Sequence, residues 1–339
     1  MLDTDFLLFP ARKGNKHSNE GLFEIYGKKS ILARIGNGYL PGLAEAGQRD
    51  VEELLTASGA FPDSERKLAE SIFRKFRRKP EIPKIMGILN ATPDSFFPGS
   101  RVDLNNIKFI DDFLDQKPDV IDVGGESTRP GSARINVASE AKRIIPVIRY
   151  LRECTNIPVS VDTRNPETLQ AVVDLGVSFI NDISGFSDER MIELAGRNRL
   201  KCIVMHMKGD PSTMQNDPKY TDVVRDVNYF LFHRASRLVR SGINPENIIL
   251  DPGIGFGKTF DHNLALLRNL DSINLGFETL IGVSRKSFIG ELTGRNVDSR
   301  LAGTIGSSVY LMEKKVDYLR VHDVRDNRDA LLVYRALTG

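Results

Sequence analysis

The sequence of 339 residues predicts an α/β fold, a (β/α)8 TIM barrel with an N-terminal α+β extension. Three observations lead to this prediction. From Lys84 onward, short runs rich in β-branched residues alternate with longer segments that have helical periodicity. Eight such pairs occupy about 255 residues, which matches a barrel in count and in length. Nearly every run ends in a polar residue or a glycine, as expected where all strands open onto one mouth.

An open doubly wound sheet would show the same alternation. Such sheets use fewer strands, and their ligand residues concentrate at the point where the strand order reverses. In this chain the polar ends are spread over nearly all the runs, so the barrel is the better interpretation. We expect residues 81–339 to form the barrel and residues 1–80 to be an extension of unknown role.

The predicted elements follow one another without a break in the pattern. The strands are predicted at 85–90, 120–125, 159–162, 179–182, 202–206, 248–251, 280–284 and 318–322. The helices are predicted at 105–116, 139–153, 166–175, 188–197, 222–241, 262–269, 300–314 and 326–337. Start and stop signals agree, because Pro166 opens the third helix while Gly176 and Gly242 follow the third and fifth.

The N-terminal residues do not share this pattern. Segments 22–26 and 30–35, joined through Gly27, predict a hairpin, and 51–56 and 64–79 predict helices. In the second helix Leu68, Ile72 and Phe76 would share one face. The extension could be a domain packed on the barrel, a partner-binding module or a dimer element, and we expect structural packing.

Composition excludes several classes of protein. A formal net charge of +2, with one basic cluster at residues 74–79 that suits a solvated helix end, does not indicate nucleic-acid binding. Cys154 and Cys202 have neither metal-ligand nor disulfide spacing. No run reaches the roughly 18 apolar residues of a membrane span, and a signal peptide is not recognisable. We therefore expect a cytoplasmic protein.

Polar residues at the ends of buried strands indicate a ligand site, because their burial is costly unless a polar partner compensates. Asp162, Asn181, Asp251 and Lys286 end or follow four different predicted strands. The glycine-rich segment 253–259 does not fit a phosphate-binding P-loop, because Pro252 occupies a position that must be glycine. Its glycines instead predict a tight turn beside the ligand.

The motifs at these strand ends closely resemble those of dihydropteroate synthases, from about Lys84 to the C-terminus. They are Met86-Gly-Ile-Leu-Asn90-Ala-Thr-Pro-Asp94-Ser-Phe96, Asp122-Val-Gly-Gly-Glu126-Ser-Thr128-Arg129-Pro130-Gly, Ser160-Val-Asp162-Thr, Asn181-Asp182-Ile-Ser-Gly, Val204-Met-His206-Met, Asp251-Pro-Gly-Ile-Gly-Phe-Gly-Lys258, Ser284-Arg-Lys286-Ser287-Phe-Ile-Gly and Leu319-Arg320-Val-His322-Asp323. All occur in order and at the spacing of a barrel.

The resemblance implies that 4-aminobenzoate is joined to the pterin of (7,8-dihydropterin-6-yl)methyl diphosphate, which yields dihydropteroate for folate synthesis and releases diphosphate. It also implies a Mg²⁺ cofactor, a homodimer and a target for sulfonamides. Small molecules are thus the expected substrates. The reaction is expected to be largely dissociative, with the arylamine attacking a pterin methylene cation, so that no covalent nucleophile is required.

Three pockets are implied. The family's pterin set corresponds to Asp162, Asn181, Asp251 and Lys286, whose carboxylate, amide and ammonium groups match the edge of an aminopyrimidinone. Arg320 and His322 alternate on the last strand and suit diphosphate, and Asn90 corresponds to the magnesium-associated asparagine. Lys286, Asp162, Arg320 and His322 are expected to carry the catalysis.

The third pocket would receive 4-aminobenzoate. Ser287 is expected to meet its carboxylate at a helix N-terminus. Phe96, Thr128, Arg129 and Pro130 correspond to the family's mobile loops. His206 ends a strand within an apolar run, so we interpret it as a hydrogen-bonded core or rim residue rather than a base.

One departure from the family and two alternative functions remain. Segment 97–100 lacks the acid and the second glycine common in the family's first loop, which affects how that loop covers the diphosphate. A pterin-binding methyltransferase of the corrinoid-linked barrels is one alternative, although segments 284–287 and 127–130 are not expected there. The other is a catalytically silent pterin-binding subunit, in which the N-terminal segment acts through a partner.

Overall fold

The computed structural model describes residues 78–91, 104–126, 135–273 and 276–339, together with the backbone of four short strands between residues 6 and 46. These short strands are β1 (Phe6–Pro10), β2 (Phe23–Gly27), β3 (Gly38–Leu40) and β4 (Leu43–Ala46). The remaining eight strands form a second, closed sheet.

The predicted barrel is confirmed. Its parallel strands close in the order β10-β11-β12-β5-β6-β7-β8-β9, so β12 and β5 pair across the seam. The strands are β5 (Lys84–Asn90), β6 (Val120–Gly124), β7 (Val159–Asp162), β8 (Phe179–Asp182), β9 (Lys201–Met205), β10 (Ile248–Asp251), β11 (Glu278–Ile281) and β12 (Tyr318–Val321). The largest displacement from prediction is at β11, which ends three residues early.

All eight helices predicted for the barrel are present, among ten α-helices within the described residues. The helices are α1 (Leu104–Leu114), α2 (Val137–Cys154), α3 (Pro166–Val172), α4 (Glu189–Arg197), α5 (Val223–Arg240), α6 (Phe260–Arg268), α7 (Leu270–Ile273), α8 (Ser287–Thr293), α9 (Leu301–Glu313) and α10 (Val324–Thr338). None of these helices combines the length and the apolar character that crossing a membrane requires.

Helix boundaries follow the local chemistry. Four helices are preceded by a residue whose side chain accepts a backbone N–H of the first helical turn. These residues are Asn136, Asp188, Asp222 and Thr259. The third predicted helix tightens into a 3-10 turn at Val173–Leu175 and ends at Gly176, whose φ of 81° is favourable only for glycine.

Alternate residues of each barrel strand face inward and form layers. At the amino-terminal end, which we call the bottom layer, the inward side chains are buried and apolar. Its members are Met86, Val120, Phe179, Ile203, Ile249, Leu280 and Tyr318. Outward side chains pack under the helices in one large core that runs around the barrel. On β6, β8, β10 and β12 the next inward residues are Asp122, Asn181, Asp251 and Arg320, which belong to the site.

The N-terminal strands form an antiparallel sheet in the order β1-β2-β4-β3. The predicted hairpin is wrong in its pairing, because β2 lies between β1 and β4, and segment 30–35 lies outside the described residues. The predicted helix 51–56 and residues 64–77 lie outside them too. Residues 78 and 79 are not helical, and Arg78 forms an ion pair of 2.9 Å with Asp317.

Candidate active site

Arg320 lies at the centre of the polar group at the carboxyl end of the barrel. Its Nε donates to Asp122 Oδ2 at 2.6 Å, and its Nη2 donates to Asp162 Oδ2 at 2.7 Å. The three residues occupy β12, β6 and β7, two positions above bottom-layer residues on β12 and β6. Two carboxylates therefore fix the plane and direction of one guanidinium.

Asp122 is a site residue that the sequence analysis did not select. It is 0% exposed, and its Oδ2 accepts a second hydrogen bond from Asn181 Nδ2 at 3.1 Å. The signal was present, because Asp122 follows the inward-facing Val120 by two residues on β6 and belongs to a quoted motif. The resemblance to the family's motifs alone did not identify Asp122 as a ligand residue.

The hydrogen bond from Asn181 defines which way its amide points. Only the NH₂ group can donate to Asp122, so Oδ1 is available as an acceptor. Asn181 Oδ1 and Asp122 Oδ1 are both buried and have no hydrogen-bond partner among the described residues. Two such orphaned acceptors favour a ligand that presents N–H donors, because buried acceptors are costly when left unpaired.

Asp251 and Lys286 form the other side of the predicted pterin pocket. Asp251 Oδ1 accepts the N–H of Gly253 at 2.7 Å, and burial raises the pKa of this carboxyl to about 6. Burial and the positive charge of Arg320 lower the pKa of Lys286 to about 8, and the negative charges of Asp251 and Asp162 oppose this shift.

The Asp162 carboxyl is also perturbed: burial, aided by the negative charge of Asp122 and opposed by the positive charge of Arg320, raises its pKa to about 7. Asn90 lies next to it: a Cβ placed on Gly124 would be 3.7 Å from Asn90 Oδ1 and 3.8 Å from Asp162 Oδ2. The absence of a side chain at Gly124 therefore leaves room between these two polar groups.

His322 directly follows β12, and Ser287 lies six residues beyond the end of β11. Ser284 Oγ lies 3.0 Å from His322 Nδ1 and also accepts the His322 backbone N–H at 3.2 Å, which fixes the ring. Ser287 is the first residue of α8 and is exposed, with Lys286 as the preceding N-cap residue. Phe96, Thr128, Arg129, Pro130 and segment 97–100 lie outside the described residues.

The interpretation of His206 agrees with the structure. The residue is 6% exposed, its ring packs edge-on against Phe230, and its Nδ1 lies 3.0 Å from Lys258 Nζ. Burial and the charge of Lys258 lower its pKa to about 2, so the ring is neutral. The glycine segment also forms the predicted turn, with Gly253, Gly255 and Gly257 at φ of 66°, 83° and 62°.

Comparison with known proteins agrees with this geometry. The model of a pterin binding enzyme family matches residues 86–322. The dihydropteroate synthase of Escherichia coli is 38% identical over 257 residues, which cover 75% of this chain and 91% of the relative.

This chain belongs to the dihydropteroate synthase family.

Two solved structures of the family show the same architecture. The Thermus thermophilus dihydropteroate synthase in complex with 4-aminobenzoate is 41% identical, with a TM-score of 0.68 and coverage of 76% of this chain and 95% of that one. The Yersinia pestis enzyme in a sulfonamide complex is 35% identical, with a TM-score of 0.70 and coverage of 76% and 94%. The similarity to this dihydropteroate synthase family thus extends over the barrel and its mouth.

Proposed function

We propose that the chain condenses (7,8-dihydropterin-6-yl)methyl diphosphate with 4-aminobenzoate to give 7,8-dihydropteroate and diphosphate in folate biosynthesis. The observation that carries the proposal is the linked group of Asp122, Asp162, Asn181 and Arg320, joined by hydrogen bonds of 2.6 to 3.1 Å. The charges of Arg320, Asp162 and Asp251 act on Lys286. The bound 4-aminobenzoate of the Thermus thermophilus relative supports the choice of the second substrate.

Recognition of the pterin uses complementary hydrogen bonding. Its aminopyrimidinone edge presents N–H donors beside a carbonyl acceptor, so Asp251 accepts from the ring N–H and the amino group while Lys286 donates to the carbonyl. The orphaned acceptors Asn181 Oδ1 and Asp122 Oδ1 supply further partners for N–H groups. Each group must be in one protonation state, with Asp251 ionised and Lys286 protonated.

Departure of the diphosphate requires positively charged side chains that stabilise the anionic oxygens of the leaving group. Arg320 is held by two carboxylates and keeps 18% of its side chain exposed, while Ser284 fixes the ring of His322 beside it. These preformed donors stabilise the departing anion without reorganising, and Asp162 and Asp251 favour the cation left on the pterin methylene. The arylamine then attacks that carbon, and its proton is released to solvent.

The Asn90 amide oxygen is the protein group that would hold the proposed Mg²⁺. Within the described ranges, no group of three or more His, Cys, Asp or Glu side chains is arranged to hold a metal. Magnesium prefers oxygen ligands and is commonly held by substrate phosphates, waters and few protein groups. The Asn90 amide oxygen would therefore hold an ion bound mainly by the diphosphate, and this ion would neutralise the leaving group.

We also propose that the protein forms a homodimer and that it is located in the cytoplasm. Exposed apolar side chains on α10 support self-association, because Leu332, Val333 and Leu337 are 50%, 59% and 80% exposed. Sedimentation velocity at micromolar protein tests the dimer. A monomer under those conditions would overturn that part of the proposal and leave the catalytic part unaffected.

The deciding experiment measures diphosphate release from the pterin substrate with and without 4-aminobenzoate. The proposed reaction predicts release that depends on the amine, together with dihydropteroate identified by mass. A methyltransferase-like barrel predicts no amine-dependent product. A silent subunit predicts pterin binding without turnover. Either of the last two results would overturn the proposal.

A further inference from the structure

Lys258 is a buried lysine that the proposed chemistry does not use, and burial lowers its pKa to about 7. It is 3% exposed, and its ammonium donates to the carbonyl oxygens of Gly253 at 2.9 Å, Phe256 at 3.0 Å and His206 at 3.3 Å. His206 Nδ1 also lies 3.0 Å from the nitrogen, so the three N–H groups of the ammonium are shared among four acceptors. Burial of an ammonium costs several kcal/mol unless its donors are satisfied. Here one ammonium satisfies acceptors from the ends of two neighbouring strands.

The loop that it holds, residues 253–257, has little rigidity of its own. Three glycines supply its left-handed turns, and glycine is the residue with the most conformational freedom to lose. The loop also lies directly on the backbone after β9. A Cβ on Gly253 would be 1.9 Å from the His206 carbonyl oxygen, and one on Gly257 would be 2.2 Å from that of Lys208. Glycine permits this approach, and Lys258 provides directional bonds that fix it.

This loop supports both charged groups of the pterin pocket. Its Gly253 N–H donates to Asp251 Oδ1 at 2.7 Å, which orients the carboxylate. Its Phe256 ring lies 4.1 Å from Lys286 Nζ, a cation–π distance, and Gly255 lies against the Lys286 methylenes. A shift of the loop would therefore displace the acceptor and the donor that face the pterin together.

We propose that Lys258 is a positioning residue for pterin recognition, whose ammonium fixes the glycine loop that orients Asp251 and Lys286. The proposal rests on the proposed function only in naming the ligand. Lys258 acts through its neighbours, because its donors are directed to the loop and to His206. Loss of the ammonium should weaken pterin binding more than it slows turnover at saturation.

The test uses Lys258→Ala, which removes the ammonium and leaves space for a small amine. We expect the KM for the pterin substrate to rise about 30-fold or more, with kcat and the KM for 4-aminobenzoate within about threefold of the parent. Propylammonium should restore at least about tenfold in kcat/KM, because it returns N–H donors to the same carbonyls. Tetramethylammonium at equal ionic strength has the charge but no donors and should restore nothing.

Two further variants complete the design. Lys208→Ala removes an exposed lysine from the neighbouring segment and should leave the pterin KM unchanged. His206→Phe keeps the ring packing and removes one acceptor, so it should fold even if Lys258→Ala does not, with a pterin KM about three- to fivefold higher. An unchanged pterin KM in folded Lys258→Ala and in His206→Phe would overturn the proposal. So would a loss that both cations restore equally or that neither restores.

Titration with 6-hydroxymethyl-7,8-dihydropterin by calorimetry separates this proposal from the proposed function. If the parent binds this pterin but lacks amine-dependent diphosphate release, the proposed function fails and the Lys258 comparison is still decided by affinity. The expected result is about 30-fold weaker binding to Lys258→Ala, and equal affinity for parent and variant would overturn the positioning role.

Discussion

The two ends of the barrel interior are built from the same strands and have opposite chemistry. On β6, β8, β10 and β12 the inward pairs are Val120 and Asp122, Phe179 and Asn181, Ile249 and Asp251, and Tyr318 and Arg320. The bottom layer is stabilised mainly by burial of apolar surface. Two residues further on, each strand presents a polar group that needs a partner, so the upper end combines ion pairs with acceptors left for a ligand.

The largest expected effect is at the upper end. Lys286→Met keeps the length of the side chain and removes the ammonium, so it should lower kcat/KM for the pterin substrate about 1000-fold, or roughly 4 kcal/mol. Lys201→Met is the matched change near the bottom, where Lys201 pairs with Glu278 at 2.8 Å and is partly exposed. We expect kcat/KM within about threefold there. Steady-state kinetics with both variants would contradict the comparison if the losses were equal.

The bottom layer should respond in stability instead of affinity. Phe179→Ala removes a ring that is 6% exposed and packs edge-on against Tyr318, at a cost of about 3 kcal/mol in the free energy of unfolding. Pterin affinity well below the melting temperature should be unchanged. Phe109→Ala, at a half-exposed ring on α1, is the control and should cost less than about 1 kcal/mol. Urea unfolding and calorimetric titration measure the two quantities.

Asp122 on β6 and Asp119, the residue before β6, sharpen the contrast. Asp122→Asn removes the charge that holds Arg320 and Asn181, so we expect about 30-fold lower kcat/KM, or roughly 2 kcal/mol. Asp119 accepts the Ile85 N–H at 2.7 Å and binds Arg328 at the other end of β6. Asp119→Asn should lower stability and leave kcat/KM within threefold. A larger kinetic loss from Asp119→Asn would contradict the assignment.

Pterin binding should follow a bell-shaped pH profile. Asp251, with its pKa raised to about 6, must be ionised to accept, so affinity should fall as the pH drops below that value. Lys286, with its pKa lowered to about 8, must be protonated to donate, so affinity should fall above it. Each limb should approach tenfold per pH unit. Titration with 6-hydroxymethyl-7,8-dihydropterin measures the profile, and a flat affinity across both values would exclude these two groups.

The smallest expected effect concerns 4-aminobenzoate. Ser287→Ala removes one neutral hydroxyl at the start of α8, so the KM for 4-aminobenzoate should rise about fivefold, or roughly 1 kcal/mol, with pterin affinity unchanged. Ser241→Ala, at the exposed end of α5, is the control. Both substrates should be titrated by initial rates. A change in pterin KM from Ser287→Ala would instead place this hydroxyl against the first substrate.

The sequence allowed the strands and helices to be predicted because each one is a local pattern. β-Branched runs end in polar residues or glycines, and residues such as Pro166, Gly176 and Asp188 mark the helix ends. Asp162, Asn181, Asp251, Lys286 and Arg320 could be selected because buried strand ends rarely carry such groups without a ligand.

Which side chains contact each other could not be predicted in this way, because these contacts depend on which strands become neighbours. Asp122 lies 198 residues from Arg320 in the chain and 2.6 Å from it in the fold. The mismatch with a P-loop excluded one role for the segment that contains Lys258, but it did not predict that this ammonium joins the end of β9 to the loop after β10. The hairpin prediction for β2 failed for the same reason, since β1, which precedes it, and β4, at residues 43–46, are the strands that pair with it.

The sequence by itself determined an eightfold alternation of strands and helices and the kinds of polar group that reach the barrel mouth. Only the tertiary structure decided which of those groups form ion pairs or hydrogen bonds with one another. The physical reason is that secondary structure depends on periodicity over a few residues, whereas electrostatic coupling depends on distance and burial, which exist only after the barrel has closed.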